Sequence, residues 1–295
     1  MSIYNFGSLN IDHIYRLPHI VAPGETIAAQ ALSFAAGGKG LNQSVALAQS
    51  GATVFHVGCI GSDGLWLKEL LEEKGVCTDH VQQVDAVTGH AIIQVSDAGE
   101  NSIVIFGGAN QTITEAQVDR ILANVGCDDL VLLQNETSCV SYIARRCLQL
   151  GIPLAFNPSP ISEQLLAEFP FETVRYLLVN ETEAKAIAGT DVPEQAADIL
   201  LAKYPNMRLV MTLGSRGVYY RDRSMTLTQA GFRVNAVDTT GAGDTFAGFF
   251  LGMITKGSNC AQALGYACAA AAIAVTRPGA APSIPGFGEV EAFLG

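Results

Sequence analysis

The residues Asp238-Thr239-Thr240-Gly241-Ala242-Gly243-Asp244-Thr245-Phe246 set a glycine-rich turn directly before an apolar periodic segment. Phe246, Phe249, Phe250, Met253 and Ile254 recur at helical spacing, which predicts a helix starting at or near Gly243 with that face in the core. Gly241 and Gly243 can adopt backbone angles closed to other residues, so their N–H groups can converge on one point. With the positive end of the helix dipole, those donors form a seat for an anion such as phosphate. Asp244 at its edge admits two roles: it caps the first turn, as Asp commonly does, or it takes a proton from a hydroxyl attacking the phosphate.

A second cluster, Ala36-Gly37-Gly38-Lys39-Gly40-Leu41-Asn42-Gln43, leads into a helix with Leu41, Val45 and Ala48 on one side. Here backbone can approach a ligand closely while Lys39 and Asn42 supply a cation and an amide. It is not a Walker A loop, because Ser33 stands at the first glycine and Gly40 at the Ser/Thr, and the chain has no GxGxxG. Near the N-terminus, Gly7-Ser8-Leu9-Asn10-Ile11-Asp12 ends the first apolar run. Asn10 and Asp12 lie two apart, so an extended chain puts an amide and a carboxylate on one face. That pair suits neighbouring hydroxyls, as on a sugar, although on this segment alone a plain Asx turn is the favoured reading.

The elements that must position these groups are legible as a pattern. From about residue 115, apolar runs at 130–133, 153–156, 176–179 and 209–213 alternate with helical segments, which implies a parallel sheet covered on both faces. Gln134-Asn135-Glu136, Asn157-Pro158-Ser159, Asn180-Glu181-Thr182-Glu183 and Thr212-Leu213-Gly214-Ser215 follow those strands, at the sheet edge where ligands bind in open α/β folds. Residues 90–95 and 102–106 instead read as a hairpin about Asp97-Ala98-Gly99-Glu100-Asn101. With the segment 18–34 they suggest a small antiparallel appendage, one face free to cover a ligand and the other needing a partner, for which a second subunit is the simplest cover.

Composition narrows the class. The chain has 295 residues, 49% of them hydrophobic, and a net charge of −11, which argues against a nucleic-acid partner. Its seven cysteines include no CxxC pair, in keeping with a reduced, cytoplasmic protein without a zinc site. The N-terminus lacks the pattern of a signal peptide, and the alanine-rich run 267–275 is too short to span a membrane.

Taken together, these motifs resemble the ribokinase-like (PfkB-type) carbohydrate kinases over nearly the whole chain. The likeness also runs through Pro23-Gly24-Glu25-Thr26, Gly107-Gly108-Ala109-Asn110, Thr212-Leu213-Gly214-Ser215-Arg216-Gly217 and the stretch from Ala274-Val275-Thr276-Arg277 to Ser283. The Gly-Gly-Lys-Gly-x-Asn-Gln form is more typical of the family's ribose-phosphorylating members than of fructokinases or nucleoside kinases. The resemblance implies one three-layer α/β/α domain over 1–295 with a mostly parallel sheet and a small antiparallel β lid, its strands at about 12–34 and 77–106. It implies transfer of the γ-phosphoryl group of ATP to the 5-hydroxyl of D-ribose, or to another pentose, deoxyribose or a nucleoside. Asp244 would be the base and Gly241, Ala242 and Gly243 the anion hole. Asn10, Asp12, Gly38, Lys39, Asn42 and Glu136 would hold the sugar, with Ala91 and Ile105 over it. Asn180, Thr212, Gly214, Ser215 and Gly217 would line the nucleotide, with Cys268, where a polar residue is usual, near the adenine. Glu183 would organise Mg²⁺ indirectly, and Asp238, Thr240, Ala274, Arg277, Gly279 and Ser283 would hold K⁺. A homodimer through the lid is expected on the same ground.

Overall fold

The structure, a computed structural model, describes residues 1–295. β1 (Ile3–Phe6) is followed by β2 (Asn10–Leu17), β3 (Ala31–Gly37), α1 (Lys39–Gln49), β4 (Val54–Ile60), α2 (Leu65–Glu73) and β5 (Cys77–Gln83). The hairpin β6 (Gly89–Ser96) and β7 (Asn101–Phe106) precedes α3 (Glu115–Leu122), β8 (Leu130–Gln134), α4 (Val140–Leu150), β9 (Leu154–Asn157) and α5 (Glu163–Glu168). Next come β10 (Val174–Asn180), α6 (Glu181–Ala188), α7 (Pro193–Lys203), β11 (Arg208–Thr212), β12 (Val218–Arg221) and β13 (Thr226–Gln229). The chain closes with α8 (Ala242–Thr255), α9 (Cys260–Ala274) and α10 (Phe287–Leu294).

Nine strands form one sheet in the order β13-β12-β11-β10-β9-β8-β1-β4-β5. All its pairings are parallel except those of β12 and β13 at one edge. Successive residues face opposite layers: Leu130 and Leu132 enter the core shared with α1, α8 and α9, whereas Val131 and Leu133 enter the core shared with α3, α4 and α7. A strand buried on both faces reads as a continuous apolar run, which is why 130–133 shows no alternation. None of the helices is long and apolar enough to cross a membrane.

The second sheet has the order β3-β2-β6-β7. Its outer pairs are antiparallel, and its central pair β2–β6 is parallel. The lid span expected at 77–106 needs correction, since β5 pairs with β4 in the main sheet and the second lid segment starts at Gly89. The cause is α2, whose crossover returns the chain parallel to β4. The first lid segment runs from Asn10 to Gly37 rather than from 12 to 34.

Helix α8 also differs from its expected single buried face. Every residue from Asp244 to Met253 is buried, because α8 lies between α1 and α9. Contact with α1 is close: a Cβ at Gly248 would lie 2.3 Å from the Ala46 Cβ, and one at Gly252 would lie 1.9 Å from the Ser50 Oγ. This approach sets the first turn of α1 beside the first turn of α8.

Candidate active site

The C-terminal ends of β9 to β11, the start of α1 and the start of α8 converge on two adjoining cavities. The smaller, about 230 Å³, is lined by Lys39, Asn157, Ser159, Asn180, Glu183, Thr212, Gly241, Gly243 and Asp244 among others. The larger, about 440 Å³, is mostly apolar, with Phe232, Val234, Ala236, Ala271, Ala272 and Val275 in its walls and Gly214, Ser215 and Gly217 at its edge. Thr212, Gly243 and Phe246 line both.

Asp244 occupies the first turn of α8 and is buried. Its side chain caps nothing; instead Oδ1 accepts from Gln43 Nε2 at 2.9 Å and Oδ2 from Asn42 Nδ2 at 3.1 Å. Gly241 sits before the helix with φ 73°, a left-handed conformation suited to glycine, whereas Gly243 is helical and owes nothing to unusual backbone angles. A Cβ at Gly243 would meet no protein atom, so the bare position leaves room where the two cavities join. The first α8 bond runs from the Thr245 N–H to the Gly241 carbonyl at 2.8 Å, so the Gly243 and Asp244 amides precede the helical ladder. The Ala242 amide is spent more locally, on the Thr239 carbonyl at 3.3 Å.

A polar cleft lies under the lid. Asn10 and Asp12 share a face of β2, and Asp12, Ala91 and Ile105 form one row across β2, β6 and β7. A Cβ at Gly37 would fall 2.2 Å from the Asp12 carboxylate oxygens, so only glycine lets that side chain lie across β3. Burial, reinforced by the charge of Glu136, pushes the Asp12 carboxyl up to about 7. Glu136 is itself raised by burial, although its Oε2 accepts from the Ser8 hydroxyl and from the Lys39 amide at 3.0 Å. Asn110 Nδ2 donates to Asn10 Oδ1 at 2.7 Å, fixing that amide. The Asn42 Oδ1 is buried without a partner, an acceptor aimed at no protein group. For Lys39, burial favours the neutral amine, yet Asp244, Glu136 and Glu183 together hold its pKa above the usual value.

On the other side, Asn180 and Glu183 form a capping box at the start of α6: Asn180 Oδ1 accepts the Glu183 amide at 2.8 Å, and Glu183 Oε2 accepts the Asn180 amide at 3.0 Å. Both line the smaller cavity, and Glu183 Oε1 is left out of the cap. The loop after α9 is tied to the 237–240 segment through Asp238, whose Oδ2 accepts the Gly279 amide at 2.8 Å and whose Oδ1 accepts the Thr240 amide and hydroxyl at 2.9 and 2.6 Å. Burial would raise Asp238, but these three donors outweigh it and keep the carboxyl below the usual range. Arg277 turns its guanidinium outward to Glu289 at 2.6 Å, so only its backbone remains with the loop.

The expected residues thus gather in three adjoining places: Asn10, Asp12, Gly38, Asn42, Ala91, Ile105 and Glu136 at the cleft, Thr212, Gly214, Ser215, Gly217 and Cys268 at the apolar cavity, and Lys39, Asn180, Glu183, Gly241, Gly243 and Asp244 between them. Ala274 and Ser283 flank the loop that Asp238 secures. Sequence reasoning assigned no separate role to Gln43 or Asn110 and did not mark the wall formed by 231–236, whereas Asn157 stood in one of the clusters expected at the sheet edge. Gln43 and Asn110 stood inside quoted motifs, but the wall carries no periodicity that could have marked it.

The model of the family described as "pfkB family carbohydrate kinase" matches residues 2–286. The chain is 37% identical to a ribokinase of Haemophilus influenzae, over 98% of this chain and 96% of that protein. Among solved structures it resembles a ribokinase from Thermotoga maritima (TM-score 0.88, 34% identity, 100% of this chain and 99% of that one). It also resembles an Arabidopsis thaliana ribokinase complexed with ribose and ATP (TM-score 0.85, 30% identity, 99% and 98%).

Proposed function

Because the chain belongs to the pfkB family of carbohydrate kinases, we propose that it transfers the γ-phosphoryl group of ATP to the 5-hydroxyl of D-ribose. The observation that carries this reading is the position of Asp244: one carboxylate is bonded by Asn42 from the polar cleft and belongs to the helix end that offers free amides. The larger apolar cavity takes the adenosine, with Cys268 against the base, and the phosphates point through the shared opening at Gly243. Asn10, Asp12, Gly38, Lys39, Asn42 and Glu136 receive the sugar, and the unpartnered Asn42 Oδ1 accepts one of its hydroxyls. Asp244 takes the proton of the 5-hydroxyl as that oxygen forms its bond to the γ-phosphorus and the bond to the bridging oxygen of ADP breaks. The loose transition state needs alignment and charge neutralisation above all, which Lys39 and the amides of Gly241 and Gly243 supply, the Ala242 amide being held by the Thr239 carbonyl.

The free Glu183 Oε1, with Asn180 and Asn157 nearby, offers oxygen donors suited to hydrated Mg²⁺, which would neutralise the phosphate charge. The ionised Asp238, with backbone oxygens of Thr240, Ala274, Arg277 and Gly279 and the buried Ser283, is an all-oxygen set that fits K⁺, whose charge would order the turn before α8. Seven free thiols accord with a cytoplasmic setting, and the lid is our candidate surface for a homodimer.

The deciding experiment is a coupled assay with ribose, 2-deoxyribose, fructose and adenosine as acceptors. Ribose should give the highest kcat/KM. Loss of the 2-hydroxyl leaves a buried partner unpaired, about 1–3 kcal/mol, so deoxyribose should fall roughly five- to 150-fold behind. Turnover of any other acceptor better than ribose overturns the assignment.

A further inference from the structure

A buried chain of amides runs from the backbone of β1 and α1 to Asp244. Asn5 Nδ2 donates to the Gly40 carbonyl and to Ser44 Oγ, both at 2.8 Å, and a carbonyl can only accept, so the orientation of Asn5 is fixed. Its Oδ1 must then accept, and does so from Gln134 Nε2 at 2.8 Å. The same Gln134 nitrogen donates to Gln43 Oε1 at 2.7 Å, which leaves the Gln43 nitrogen to donate to Asp244 Oδ1 at 2.9 Å and to Asn157 Oδ1 at 3.1 Å. Beyond Ser44, the ring of His56 receives the hydroxyl at Nδ1 at 2.8 Å and its Nε2 donates to the Gly7 carbonyl at 3.1 Å. Burial drives His56 down to about 4, so it keeps this neutral tautomer at working pH. Asn5, Gln43, Ser44, His56, Gln134 and Asp244 are all buried, Asn157 is half-buried, and each admits one orientation once its neighbour is set.

We propose that Gln43 is the positioning residue of the base: it holds the Asp244 carboxylate at a fixed angle and keeps one oxygen hydrogen-bonded, so that the other, beside Asn42, meets the sugar hydroxyl. Gln134 and Asn5 make that orientation the only one available. This inference rests on the role of Asp244 given above. The chain demands no proton transfer, only that a donor, and not an acceptor, face the carboxylate.

The test uses the full-length enzyme with saturating Mg²⁺ and K⁺, and the variants Gln43→Leu, Gln43→Glu, Gln134→Leu and the Leu/Leu double. Gln43→Leu should lower kcat at least about tenfold while the KM values for ribose and ATP stay within about threefold, because only the aim of the base is lost. Gln134→Leu should lose less, and the double should be no worse than Gln43→Leu alone, since both act through one orientation. Gln43→Glu keeps the shape but presents a carboxylate to Asp244, within a pocket whose other charges are Lys39, Glu136 and Glu183. On protonation Glu again becomes a donor, so its kcat relative to wild type should rise at least about threefold from pH 8.5 to 6.0, a recovery that a purely structural role would not produce. If Gln43→Leu fails to fold, Gln43→Glu carries the test. A Gln43→Leu kcat within about twofold of wild type, a loss confined to KM, or a flat Gln43→Glu ratio overturns the proposal. A wild-type enzyme inactive on every sugar would refute the kinase reading instead.

Discussion

At Asp12 a single carboxyl couples specificity to stability. Its ordinary value of 3.8 is raised to about 7 in the folded protein by burial and by Glu136. The unfolded chain therefore gives up this proton near pH 4 and the folded chain only near 7, so stability falls as pH rises through that window and the whole cost stands above it. Asp12→Asn removes the cost: its melting temperature should exceed that of wild type by several degrees at pH 8.5 and by clearly less at pH 5.5, on the order of a few kcal/mol at most. The same variant should bind ribose poorly at every pH, and wild-type affinity for ribose should weaken below pH 7 as Asp12 becomes protonated. Equal melting gaps at both pH values would contradict this. Asp244 carries a different prediction: Asp244→Asn should lower kcat by at least about 10²-fold while ribose binding, followed by calorimetry, survives. Both aspartates were legible in the sequence, one from its glycine turn and the other from its i, i+2 spacing with Asn10. Gln43 was not, because adjacent helical residues point about 100° apart and only the crossing of α1 with α8 brings both Asn42 and Gln43 to the same carboxylate.

That crossing depends on small residues. Gly248 and Gly252 stand four apart on α8 and meet Ala46 of α1 and Ser50 at its C-terminal end, a stripe visible in the sequence once the two helices are known to touch. Gly248→Val should force the helices apart, cost about 1–3 kcal/mol and lower kcat beyond the loss of stability, because Asn42 and Gln43 withdraw from Asp244. Thermal melts and saturation kinetics on one preparation check both halves of that statement. On the far side of α8 the turn at Gly241 is backed by the Asp238 loop. Exchange of K⁺ for Na⁺ should reduce kcat, and Asp238→Asn should abolish the difference between the two ions; equal rates of wild type in both salts would remove the cation from the scheme. Strands that read as continuous apolar runs, such as 130–133, were readable to within a residue or two. The fate of β5 was not, since its mixed polar sequence matches a lid strand and only the α2 crossover assigns it to the main sheet.

Across the whole molecule the unresolved demand is the lid, which exposes apolar side chains on both faces. Ile103 and Ile105, 52% and 51% exposed, share the face of Asp12, where a bound sugar and closure would cover them. Phe34, Val104 and Phe106, 61%, 61% and 54% exposed, lie on the opposite face beside His13 and His90, and no element of this chain reaches them. An apolar patch of that kind is costly in water, and the homodimer proposed above would cover it with a second lid. On that proposal wild type should sediment as a dimer and Phe34→Asp as a monomer, and because a lone lid would lose its support, the KM for ribose should rise more than that for ATP. A wild-type protein that sediments as a monomer at micromolar concentration would leave the outer face of the lid to a different partner, and with it the link between assembly and sugar affinity would fail.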